Sequence, residues 1–106
     1  MKTIDMTKYE IRARVIKAMA HPTRLCIVDM LSQQDMCVAE LTKIIGADMS
    51  TVSKHLSILK NAGIITSAKK GTQVNYSLHM HCVMIFFGCV EQVLENSAKN
   101  QLLMLK

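Results

Sequence analysis

The sequence predicts a mainly α-helical domain that carries one β-hairpin near its C-terminal third. Three observations support this. Apolar residues recur with a helical period in four stretches before residue 63. The period switches to strand-like alternation between about 64 and 78. It then returns to a helical stripe from about 81 to 95. With 106 residues, half of them apolar, the chain reads as one domain over 1–106. A core this small gains from oligomerisation.

Tyr9 to Ala20 places Ile11, Val15 and Met19 at i, i+4, i+8 with Ile16 beside them, an amphipathic helix. His21-Pro22 breaks it, because proline disfavours helix at the residue before it and suits the first turn of a new one. A second helix runs from Pro22 to Ser32, with Leu25, Val28 and Leu31 inward and Arg24 outward. Ser32 to Asp35 is a polar loop. Cys37 opens a short helix through Ile45, which Gly46 ends, and Asp48 is placed to cap the next helix.

That next helix, Met49 to Gly63, is the stretch around which the chain is organised. Val52, Leu56 and Leu59 form its apolar stripe, so Ser50, Lys54, Ser57 and Asn61 point away from the core. The outward face is short, polar and free of acids, with side chains that donate to base edges and phosphates. Two short helices joined by a tight glycine-containing turn make a helix-turn-helix, with this one as recognition helix. Ile64, Ile65 and Thr66 then lead into a basic turn, Ser67 to Gly71. Thr72, Val74 and Tyr76 alternate with Gln73, Asn75 and Ser77 on the return strand of the hairpin, the wing at about 64–78.

From His81 to Glu95, Cys82, Phe86, Cys89, Val90 and Val93 share a stripe that Val83, Phe87 and Leu94 widen. So broad an apolar helix is either the central core or a dimer face. The tail from Asn96 leaves two readings open; Leu102, Leu103, Met104 and Leu105 can prolong the helix.

Composition narrows the function. The formal charge is +5, which suits a polyanionic partner, nucleic acid before membrane. The N-terminal ten residues have no apolar core of a signal peptide, and Cys82 to Val90 is too short to span a bilayer. The expected location is therefore the cytoplasm, where thiols stay reduced. Four scattered cysteines make neither a disulfide framework nor a zinc knuckle. No P-loop, nucleophile elbow, zinc-protease or dinucleotide motif is present, so an enzyme is not expected.

The ordered segments Met19-Ala20-His21-Pro22-Thr23-Arg24-Leu25, Val38-Ala39-Glu40-Leu41, Val52-Ser53-Lys54-His55-Leu56, Leu59-Lys60-Asn61-Ala62-Gly63-Ile64 and Val74-Asn75-Tyr76-Ser77-Leu78 resemble the signature of ArsR/SmtB transcriptional repressors. The resemblance runs from about Ile11 to Val93. It implies a winged helix-turn-helix homodimer, joined through the first and last helices and bound to a palindromic operator near its own promoter. It also implies release from double-stranded DNA when an inducer binds, often a metal or metalloid.

On this reading Ser50, Thr51, Ser53 and Lys54 enter the major groove. His55, beside the apolar stripe, is less well aimed, and Lys60 lies nearer the backbone. Lys69 and Lys70 at the wing meet phosphates or the minor groove. A winged helix reused as a protein–protein module would lack the basic wing and show an apolar recognition face, and neither is seen.

The sensor is less legible. Cys37 stands where some relatives carry the first thiol of a Cys-x-Cys arsenic site, but Ala39 replaces the second. The N-terminal cysteines of cadmium and lead sensors are missing. Val93 and Asn96 stand where the zinc sensors' later histidines would be. Cys82 and Cys89 share a face but lie two turns apart, roughly 10.5 Å along the axis. They need a donor from a second protomer, such as Cys37 or Cys89 across the dimer, to hold one As(III) or other thiophilic ion. Two alternatives remain: a redox or persulfide switch, and a constitutive regulator whose cysteines only pack. Cys26 reads as a core residue. His79 and His81 flank Cys82 but do not share a helix face. The nine methionines read as packing.

Overall fold

The computed structural model describes residues 3–104. Its order is α1 (Thr7–Met19), α2 (Pro22–Gln33), β1 (Met36–Cys37), α3 (Val38–Ile45), α4 (Met49–Asn61), β2 (Ile65–Lys70), β3 (Gln73–Leu78) and α5 (Val83–Met104). This is the winged helix-turn-helix arrangement predicted above.

Local chemistry sets the helix starts. Pro22 occupies the first turn of α2, and His21 Nδ1 accepts the Thr23 N–H at 3.1 Å, so the imidazole caps the helix. Gly46 ends α3 with φ 80°, a left-handed conformation that turns the chain sharply into Asp48 and α4. The Asp48 carboxylate accepts the Thr51 N–H at 2.7 Å.

The core lies where α2, α3 and α4 meet the sheet. Ile27, Val28, Leu41, Val52, Leu56, Leu59 and Ile64 are fully buried. Each such side chain contributes about 1.5–3 kcal/mol relative to exposure. The stripe on α4 that the periodicity predicts is thus the seam that seats the helix.

Several expectations are corrected. A short strand, β1, precedes α3, so Cys37 belongs to the sheet and to the start of α3. Met36 and Cys37 pair antiparallel with Tyr76 and Asn75, giving the order β1-β3-β2. Two residues have no period to read. Leu25 is exposed and Arg24 is half-buried, the reverse of the prediction, because α2 buries the face of Ile27, Val28 and Leu31. Lys69 and Lys70 are not in the turn. β2 runs on to Lys70, which pairs with Gln73 across a two-residue loop, and Gly71 takes φ 64°.

The last helix begins at Val83 and continues to Met104, well beyond Glu95. Leu105, the last residue of the apolar tail, lies outside the described residues. Only Val83 on α5 is fully buried; Ile85, Phe86, Val90, Val93 and Leu94 are exposed, at 72% for Ile85 and 49% for Phe86. The α1 residues Ile11 and Ile16 are exposed as well. The radius of gyration is 17.3 Å, against about 13 Å for a compact chain of this length. Of the two readings of α5, central core or dimer face, this arrangement excludes the core.

Candidate nucleic-acid interface and thiol sites

The helix α4 presents Ser50, Thr51, Lys54, Ser57, Lys60 and Asn61 to solvent, while Ser53 is half-buried. Its N-terminal end is ordered by Asp48, which holds the Thr51 N–H and also accepts the Ser50 hydroxyl at 3.2 Å. These bonds, with Lys54 nearby, hold the Asp48 carboxyl below its ordinary range. Ser50 therefore has its hydroxyl proton engaged by Asp48, a constraint that spacing alone could not reveal.

His55 is turned inward. Its ring centroid is 4.5 Å from that of His21, and its Nδ1 is buried without a hydrogen-bond partner among the described residues. Burial, then the charges of His21 and Arg24, push its pKa down. His55 therefore packs against the start of α2 and does not face outward with Lys54. Its place next to Leu56 was the available signal.

Lys69 and Lys70 lie at the free end of the wing, both exposed. Successive strand residues point to opposite faces, so one lysine lies on the side of buried Ile65 and the other on the side of Thr66.

These features converge on DNA recognition, and the comparisons with known proteins agree. Residues 21–67 match the model of the bacterial regulatory protein, arsR family. An HTH-type transcriptional regulator of Methanocaldococcus jannaschii is 43% identical over 68 residues, 63% of this chain and 76% of that protein. The chain belongs to the ArsR family. The regulator is also 39% identical over 67 residues to the transcriptional repressor SmtB of Mycobacterium tuberculosis, 63% of this chain but only 50% of SmtB. A solved homodimeric winged helix-turn-helix DNA-binding domain from Mycobacterium bovis superposes with a TM-score of 0.77 at 28% identity, covering 92% of this chain and 93% of that one. The regulator is thus a DNA-binding transcriptional regulator of the ArsR/SmtB type.

The structure does not bring the three candidate thiols together. Cys37 is buried at the start of α3, where its N–H donates to the Glu40 carboxylate at 3.2 Å and holds that carboxyl below its usual range. Cys82 and Cys89 are exposed, the first in the turn before α5 and the second on it. Among the described residues no group of three His, Cys, Asp or Glu side chains gathers to hold a metal ion within one chain. Cys26 is not a core residue as expected. It is half-buried and lines an apolar groove of about 710 Å³ with Ile16, Met19, Leu25, Met84 and Phe87. Among the described residues, no helix is long and apolar enough to cross a membrane.

Proposed function

We propose that the regulator is a cytoplasmic repressor that binds a palindromic operator as a homodimer and leaves it when a thiophilic inducer reaches its exposed cysteines. The acid-free outer face of α4, held by the Asp48 cap, is the observation that carries this reading. Ser50, Thr51, Ser53 and Lys54 read the major groove, and Lys60, Lys69 and Lys70 neutralise backbone phosphates. The uncovered apolar faces of α1 and α5 meet their copies in the dimer. Two half-sites then lie about one helical turn, roughly 34–36 Å, apart.

Sensing works through Cys82 and Cys89, on the α5 side of the dimer face. A soft ion such as As(III) or Cd(II) takes thiolates from both protomers, since one chain does not gather enough ligands. Cys37 stays a buried packing thiol. Attack on these thiols by a persulfide or an oxidant is the second reading; both are exposed in the single chain.

Fluorescence anisotropy with the protein's own upstream promoter DNA tests the proposal, titrating As(III), Cd(II), Zn(II) and a persulfide donor in turn. Release by one of them, lost in Cys82→Ser/Cys89→Ser while operator affinity is kept, is the expected result. Binding undisturbed by all four, or release that survives the double substitution, refutes the sensing role of these thiols.

A further inference from the structure

A concavity of about 420 Å³ opens between α1, α2 and the end of α4. Arg14, Lys17, Arg24, Ile58 and Asn61 line it. Three of the seven lining residues are cations, and no carboxylate among the described residues lines the concavity. Arg14 and Lys17 are i, i+3 on one face of α1, so their charges sit side by side. Arg24 is half-buried, and its Nε is buried without a hydrogen-bond partner among the described residues. A buried charged donor left without an acceptor is costly and needs a physical reason.

We propose that this concavity is a phosphate-binding site, with Arg24 as the inner donor and Arg14 and Lys17 at its mouth. A guanidinium fork matches an oxyanion bidentately, and two further cations relieve their mutual repulsion on the same anion. Asn61 supplies an amide donor at the rim.

The place in the fold indicates where the phosphate comes from. At 13 residues α4 is about 19 Å long, against a major groove about 12 Å wide. Docking through its N-terminal half leaves its last turn at the groove rim, beside the sugar-phosphate backbone. A free phosphate ester offers the same chemistry. The duplex source rests on the DNA-binding role proposed above; the site itself does not.

Two measurements decide the matter. The first follows the Arg24 side-chain Nε–H by NMR during titration with inorganic phosphate at constant ionic strength. The second measures operator affinity against salt for wild type and for Arg14→Ala/Lys17→Ala, two exposed positions whose loss spares the core. The site predicts a saturable Arg24 shift that is at least tenfold weaker in the double variant. A duplex source further predicts a log–log salt slope shallower by about 1.8 for the dimer, at about 0.9 per lost phosphate and one phosphate per protomer. A saturable shift with an unchanged slope assigns the site to a free phosphate ester. The absence of both responses overturns the proposal. Wild type that fails to bind operator refutes the repressor reading, and the phosphate titration then still decides this one.

Discussion

The wing offers the sharpest quantitative test. Lys69 and Lys70 are consecutive residues at the end of a strand, so their ammonium groups leave opposite faces of the ribbon. The minor groove is about 6 Å wide with phosphates on both walls, and a ribbon tip with a cation on each face can reach both walls. Each lysine then neutralises one phosphate per protomer. Removing one shallows the slope of log K against log salt by about 1.8 for the dimer, and removing both by about 3.6. Because this contribution vanishes near 1 M salt, Lys69→Ala/Lys70→Ala costs on the order of 10³-fold in affinity near 0.15 M. Anisotropy on operator and on scrambled DNA, each at four or five salt concentrations, reads both slope and specificity. The loss should be the same on the two DNAs, since phosphates carry no sequence. If one single substitution is silent, the ribbon does not straddle the groove. If both are silent, the wing does not meet the duplex.

Other expectations follow from the same geometry. Leu56→Ala empties a fully buried position at the centre of the α4 seam and should cost about 2–5 kcal/mol in urea denaturation; less than 1 would mean that the seam does not hold the helix. Phe86→Glu puts a charge on the uncovered α5 face and should shift sedimentation toward monomer and weaken operator binding; an unchanged dimer would place the interface elsewhere. His55 has a folded-state pKa below its ordinary 6.5, so the unfolded chain takes up its proton first as pH falls. Its contribution is therefore neutral above about pH 7 and destabilising as pH drops through 6.5 toward the lower folded value. Stability measured from pH 7.5 to 5 should fall less in His55→Gln, and an identical pH profile would show that the imidazole is not the cause.

Much of this protein is determined by the sequence itself. The stripe Val52, Leu56, Leu59 dictated which face of α4 is buried and, by difference, which polar residues are offered to a partner. Pro22, Gly46 and Asp48 marked helix boundaries, because each acts on the backbone within one or two residues. The alternation after Thr72 located the hairpin. All of these are local effects with a period or a cap to read.

What only the tertiary structure decided depends on neighbours distant in sequence. β1 exists because β3 offers it an edge, and two residues cannot announce that alone. His55 turned inward because His21, 34 positions earlier, caps a helix that packs against it. The exposure of Cys82 and Cys89, and the burial of Cys37, follow from where α5 and β1 lie. The grouping of Arg14, Lys17 and Arg24 beside the end of α4 likewise needs three helices in register. Periodicity assigns residues to a face of one element; packing decides what that face meets.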